Sequence, residues 1–377
     1  MAVRIIVITF MVLNNDINSL ILEKDIIENW QSEDVLVSIC CTAYNHKLYI
    51  EDALRGFLGQ KTNFAFEIVI SDDCSTDGTT EVIRRYLEMF PNIIKFIYQE
   101  ENQYSKGALP IRDFILPNVS GKYIALCEGD DYWIDSTKLQ KQVDFLELNP
   151  QFMGCGHNTS FLERNEEITK AFIDFENYNE VFTFDNFIEL SYLHTSSIIY
   201  RYESKFKEQI NEYLKLYSNV DRNDYYMLLV FSYFGPIKYI NQVMSVYRVN
   251  DGGIWNGANK EQQLLMFLKG CLDFSYIFDR KYTEKFVYSF INVLSENSES
   301  CSHHFFNKLL DSLCNKDLEL LLSYFAKLRN SDIKKIKESK YYINELESQL
   351  NDNSIRSLFT KFLKTIKVYG FLKNIKK

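Results

Sequence analysis

Between residues 35 and 150 the chain alternates short apolar runs with amphipathic stretches, and this alternation most constrains the fold. Val35 to Cys41 is a run of β-forming residues apolar enough to be buried on both faces. Polar Tyr44-Asn45-His46 follows. Then come Ile50, Ala53, Leu54, Phe57 and Leu58, whose spacing predicts a helix with one buried stripe. Phe66 to Ile70 reads as a second strand, Val82 to Phe90 as a second helix, Ile93 to Tyr98 as a third strand and Lys122 to Cys127 as a fourth. A further helix with Leu139, Val143 and Leu146 inward stops at Asn149-Pro150. Such alternation implies a mainly parallel sheet with right-handed crossovers. In sheets of that kind, ligands gather beyond the carboxyl ends of the strands. Three polar clusters fall at those ends: Thr42 to Asn45, Ser71-Asp72-Asp73 and Glu128 to Asp131.

The remaining sequence divides in two. From 151 to 257 the pattern is mixed, with a strand expected at Ser196 to Tyr200, a helix at Asn223 to Phe234 and a strand at Val243 to Val249 before the Gly-rich loop Asn250 to Gly257. Beyond 258 the chain reads as helices, and Ile336, Ile343, Leu346 and Leu350 span too few heptads for a coiled coil. At 377 residues the chain exceeds the size of one core. The expected organisation is an extension over 1–34, an α/β domain over 35–257 (halves 35–150 and 151–257) and a helical region over 258–377.

Charge and cysteine usage narrow the function classes. A net charge of −9 argues against a nucleic-acid partner. Eight cysteines with no CxxC spacing fit a reduced, cytoplasmic setting. The apolar run Ile5 to Leu13 is about half a membrane span. Residues 356–377 carry seven basic and no acidic side chains around an apolar helical stripe, the pattern of a peripheral anchor on an anionic membrane surface.

Thr42-Ala43-Tyr44-Asn45-His46, then Ile70 to Thr79 through Asp72 and Asp73, then Glu128-Gly129-Asp130-Asp131-Tyr132-Trp133 occur in that order. Together they resemble the family 2 glycosyltransferases, inverting nucleotide-sugar enzymes of the GT-A fold. The resemblance runs across about 35–150, thins towards 257 and is absent beyond. It implies an α/β GT-A fold with a helical C-terminal extension, and transfer of one sugar, UDP-linked, to a glycan or lipid-linked glycan in bacterial surface polysaccharide synthesis. Thr42, Tyr44, Asp72 and Asp73 would contact the nucleoside, with Asp73 favoured over Asp72. Glu128 and Asp130 match the acidic metal motif. Their hard oxygens suit Mg²⁺ or Mn²⁺ shared with a diphosphate, and Asp130 is the preferred direct ligand because Glu128 stands where the family often has its first Asp. Asp224 matches the general base at a helix start, with Asp221 as rival. His194 and Trp255 fall on the acceptor side, and Arg248 and Arg112 could approach the diphosphate. Asn250 stands where many relatives have His.

Other classes fit less well. A nucleotidyltransferase would carry a Gly-rich basic loop where Thr42-Ala43-Tyr44-Asn45 stands. A non-catalytic carbohydrate-binding scaffold would have no need to keep Asp73, Asp130 and Asp224 together. The Gln-x-x-Arg-Trp motif of processive synthases is missing from the sequence.

Overall fold

The computed structural model describes residues 21–163, 168–174, 176, 178–189, 191–217, 223–249, 257–297 and 300–331. Asp221, the Gly-rich loop with Trp255, the heptad-like stretch after 331 and the basic tail lie outside the described residues. The chain forms two compact units, Met1–Phe187 with Ser191–Asn256, and Ile188–Leu190 with Gly257–Lys377.

The first unit begins with α1 (Glu23–Ile27), β1 (Val35–Ala43), α2 (Ile50–Leu58), β2 (Ala65–Asp72), α3 (Thr79–Met89) and β3 (Ile94–Tyr98). It continues through β4 (Tyr123–Leu126), β5 (Tyr132–Trp133), α4 (Lys138–Leu148), β6 (Gly154–Leu162), β7 (Ile168–Ala171), β8 (Val181–Phe182) and α5 (Phe184–Ile188). The last elements are β9 (Ile199–Arg201), α6 (Ser204–Lys215), α7 (Asn223–Phe234) and β10 (Ile237–Arg248). Among the described residues these strands make one sheet in the order β3-β2-β1-β4-β9-β6-β10-β5, with β7 beside β6 and β8 beside β10. Strands β3, β2, β1 and β4 run parallel, β9 opposes both β4 and β6, and β10 is again parallel to β6.

Alternation within each strand explains the layering. Val37, Ile39 and Cys41 of β1, with Ile68 and Ile70 of β2 and Ala125 of β4, share one core with Ile50, Ala53, Leu54 and Phe57 of α2, Ile83 of α3, and Leu139 and Val143 of α4. These residues are at most 2% exposed.

Helix α2 meets β5 without clearance. A methyl group on Gly56 would lie 2.8 Å from the Trp133 carbonyl oxygen and 3.0 Å from its nitrogen, and the Phe57 and Trp133 rings pack edge to face at 4.8 Å. Gly56→Ala therefore has to push back the strand that follows the acidic segment. Overpacking of this kind costs about 1–3 kcal/mol, and urea denaturation should show a lower midpoint with an unchanged slope.

Two elements depart from the sequence reading. The strand expected at Val243 to Val249 starts earlier, at Ile237, because register shifts between Ile240 and Ser245 break the alternation that would have marked its first half. The strand expected at Ser196 begins only at Ile199, after a 3-10 turn over Thr195–Ser197 in which His194 Nδ1 accepts the Ser196 N–H at 3.3 Å.

The second unit holds α8 (Lys260–Ile277), α9 (Arg280–Asn297), α10 (His303–Ser312) and α11 (Asn315–Ser331). They close on Leu268, Leu272, Val287, Phe290, Leu294, Leu309 and Leu321. A capping box between Asn259 and Gln262 starts α8. Among the described residues, no helix is long and apolar enough to cross a membrane.

Candidate active site

The polar ends of β1, β2 and β4 are tied together by hydrogen bonds between loops. Asn45 takes up a left-handed backbone (φ 55°), its N–H donates to Ser75 Oγ at 2.9 Å, and its Oδ1 accepts the Thr76 N–H at 2.9 Å. The Lys47 N–H donates to Asp77 Oδ2 at 2.9 Å. The loop after β1 is thus fastened to the loop after β2, with Tyr44 at its crest, 46% exposed.

The two aspartates of β2 and its following turn serve different ends. Asp72 is fully buried, with its oxygens accepting from Ser75 Oγ and Thr80 Oγ1. It holds the turn and the start of α3. Asp73 is also buried, and its oxygens accept the backbone N–H groups of Gln103 at 2.7 Å and Tyr104 at 3.0 Å. Each Asp73 oxygen keeps a second lone pair.

The acidic segment runs on beside β1. The Cys127 N–H donates to the Cys40 carbonyl at 3.1 Å, and the Gly129 N–H to the Thr42 carbonyl at 2.9 Å. A side chain at 129 would strike Ile50 Cδ1 at 2.8 Å and His46 Nδ1 at 3.0 Å, so glycine permits this approach. Thr42 therefore meets the acidic segment through its carbonyl. Glu128 and Asp130 are half-buried on either side, and Asp130 Oδ2 lies 3.9 Å from His46 Nε2. Burial, reinforced by the negative charges of Asp130 and Asp224, pushes the Glu128 carboxyl up to about 8. The charge of Asp224, at the start of α7, is thus felt at Glu128.

Asp131 and Arg248 lock the segment to β10. Asp131 is 1% exposed, and burial beside Asp130 and Glu128 raises its carboxyl well above the usual range. Its Oδ1 accepts the Arg248 N–H at 3.0 Å, and its Oδ2 lies 3.8 Å from His194 Nδ1. The Arg248 guanidinium donates to the Asp130 carbonyl at 2.9 Å, pairs with Asp52 and lies over the Tyr132 ring at 4.4 Å. Arg248 thus reaches the acidic segment and is committed there to protein groups. Arg112 is committed elsewhere, donating to Asp113 at 2.6 and 2.9 Å and to the Tyr217 carbonyl at 3.0 Å.

On the far side, His194 is buried and held at 2.9 Å from Ser196 Oγ, and burial lowers its imidazole to about 4. It is neutral at pH 7. Asp224 is half-buried at the first turn of α7, and its Oδ2 accepts the Tyr192 hydroxyl at 2.6 Å. Sequence reasoning missed Tyr192 and Asp52, because no local pattern distinguishes them from structural residues, and it gave His46, within the first motif, no role.

The donor chemistry suits a hard cation in part. Glu128 and Asp130 offer carboxyl oxygens; burial is the main cause of the raised Glu128 carboxyl, the charges of Asp130 and Asp224 add to it, and a divalent ion would favour its ionised form. Among the described residues, no group of three or more His, Cys, Asp or Glu side chains is arranged to hold a metal. A cation here would need substrate phosphates to complete its shell, as Mg²⁺ commonly does.

Comparisons with known proteins agree with this geometry. Residues 38–207 match the family model described as Glycosyl transferase family 2. An uncharacterized protein of Mycobacterium tuberculosis is 30% identical over 62% of this chain and 64% of its own length. The Escherichia coli UDP-Glc:alpha-D-GlcNAc-diphosphoundecaprenol beta-1,3-glucosyltransferase is 36% identical over 36% of this chain and 51% of its own. This chain therefore spans under two thirds of either relative. Among solved structures, S. aureus TarS 1–349 in complex with UDP-GlcNAc superposes with a TM-score of 0.55 and 17% identity, covering 85% of this chain and 93% of that one. That likeness bears on the fold, which is GT-A.

Proposed function

Because residues 38–207 match the model of the family 2 glycosyltransferases, we propose that the chain moves one sugar from a UDP-linked donor to a hydroxyl of a glycan or lipid-linked glycan, with inversion. The setting proposed is bacterial surface polysaccharide synthesis at the inner face of the cytoplasmic membrane. The observation that carries the chemistry is the run of contacts from Asp224 to the acidic segment: Tyr192 donates to Asp224 at 2.6 Å, the Phe172 ring lies 5.6 Å from Tyr192 and 5.8 Å from His194, and His194 Nδ1 lies 3.8 Å from Asp131 Oδ2. A base and an acidic diphosphate-side segment have to share one edge for such a transfer, and this run of contacts between residues remote in sequence supports that reading. The E. coli relative, whose named acceptor is a sugar on diphosphoundecaprenol, supports the lipid-linked class.

In this reading Tyr44 stacks on the base and Asp73 fixes the nucleoside through its spare lone pairs. Asp72 acts through the turn it holds. A Mg²⁺ or Mn²⁺ ion at Asp130, with Glu128 beside it, would supply Lewis-acid stabilisation of the departing diphosphate. Asp224 has one oxygen occupied by Tyr192, leaving the other to take the proton of the acceptor hydroxyl. That hydroxyl oxygen forms its bond to the anomeric carbon as the bond to the diphosphate oxygen breaks on the opposite face. Neutral His194 adds no positive charge beside the acidic segment and can donate from Nε2 to the acceptor.

Tyr192→Phe tests the arrangement of the base. Removing the hydroxyl frees the carboxylate to rotate without disturbing the donor side. Transfer turnover should fall roughly tenfold with donor KM unchanged, about the worth of one charged hydrogen bond. Equal changes in turnover and donor KM would count against Tyr192 acting through Asp224. The broader test is a panel of nucleotide sugars with Mn²⁺, followed by nucleotide release and thermal shift.

A further inference from the structure

Tyr44 opens the loop from β1 to α2. Its side chain is largely open to solvent and makes no hydrogen bond or ring contact among the described residues. A ring without contacts does not fix its own position. The backbone beside it therefore decides whether the ring is already in place when a ligand arrives.

Asn45 holds that backbone. It is left-handed (φ 55°), a conformation that Asn visits more readily than most residues with a side chain. In it the main chain and the side chain grip successive residues of the turn after β2. The Asn45 N–H donates to Ser75 Oγ, and Asn45 Oδ1 accepts the Thr76 N–H, both at 2.9 Å. The turn so gripped is a fixed body. Ser75 Oγ donates to the fully buried Asp72 carboxylate, which also accepts the Ser75 N–H at 3.3 Å and the Thr80 hydroxyl. Asp77 Oδ1 accepts the Thr79 N–H at 3.0 Å and the Thr79 hydroxyl at 2.6 Å. Two further bonds fasten the ends of the β1 loop to the same turn: the Asp73 N–H donates to the Ala43 carbonyl and the Lys47 N–H to Asp77, each at 2.9 Å. Between those ends, Asn45 makes the loop's only hydrogen bonds to the turn among the described residues. A relay from Asp72 through Ser75 to Asn45 thus ends one residue from Tyr44.

We propose that Asn45 is a positioning residue that sets nucleotide affinity by holding the Tyr44 ring where it stacks, an inference that rests on the reading of Tyr44 as a nucleoside contact. The test is titration of the full chain with UDP, with and without Mn²⁺, for the wild type, Asn45→Ala, Asn45→Gly, Tyr44→Ala and the two double variants. Glycine adopts φ 55° without strain. Asn45→Gly therefore removes the Oδ1 bond alone and decides the matter if Asn45→Ala fails to fold, as judged by urea denaturation. Both Asn45 variants should bind UDP roughly five- to tenfold more weakly, the scale of one hydrogen bond, with the gain from Mn²⁺ unchanged. Tyr44→Ala should weaken UDP at least roughly tenfold. In that background the Asn45 changes should cost little more, because the ring they act through is gone. Wild-type affinity in Asn45→Gly, no loss in Tyr44→Ala, or Asn45 losses that persist in full in the Tyr44→Ala background would each overturn the proposal and leave UDP binding itself standing. Failure of the folded wild type to bind UDP would overturn the proposal together with the donor reading.

Discussion

Asp224→Asn should lower sugar transfer by about 10²–10⁴-fold, the usual contribution of a positioned base, while leaving donor affinity near that of the wild type. The substitution is nearly isosteric, and an amide oxygen can still accept the Tyr192 hydroxyl that now sits 2.6 Å from Asp224 Oδ2. The amide cannot take up a proton, so the loss falls on the chemical step. The two readouts are product formation under saturating donor and direct titration of the nucleotide. Normal transfer by this variant would exclude Asp224 as base and return attention to Asp221.

Asp130→Ala should have the opposite signature. Its carboxylate is the hard-oxygen donor flanking the Thr42 carbonyl, where Gly129 brings the acidic segment against β1. Removing it should abolish the gain in UDP affinity on adding Mn²⁺, a gain expected to be at least roughly tenfold. Affinity in the presence of a chelator should change little, because Asp73 and Tyr44 are untouched. Arg248 meets Asp130 through the backbone carbonyl, so the variant also keeps the link to β10. A metal-dependent gain equal to that of the wild type would remove Asp130 from the metal site. The two variants together separate donor capture from transfer.

Much of the fold over 35–150 was legible in the sequence because its signals are local. Val35 to Cys41 and Phe66 to Ile70 lie within β1 and β2, and the stripe Ile50, Ala53, Leu54, Phe57, Leu58 is buried on α2. The order of the polar clusters at the strand ends was legible for the same reason. Which oxygens those clusters leave available was not. Asp72 and Asp73 are neighbours of one type, yet Thr80 and Ser75 claim the first and the Gln103 and Tyr104 backbone claims the second. Arg248 could be placed near the acidic segment by resemblance, but its pairing with Asp52 joins residues far apart in the chain. The first half of β10 escaped because its pairing slips between Ile240 and Val243, and an interrupted strand has no clean period of two. Tyr192 escaped because a tyrosine ahead of a buried turn gives no sign of the carboxylate its hydroxyl reaches.

The most direct test is the anomeric outcome with a panel of α-linked UDP-sugars, Mn²⁺ and an octyl glycoside acceptor. Released UDP and product are quantified, and the new linkage is read from its proton coupling. At least one donor should be consumed with matching release of UDP, the product should be β-linked, and both should vanish in Asp224→Asn. A folded protein that releases no UDP from any donor would contradict the transferase reading, and an α-linked product would contradict the single in-line displacement with Asp224 as its base.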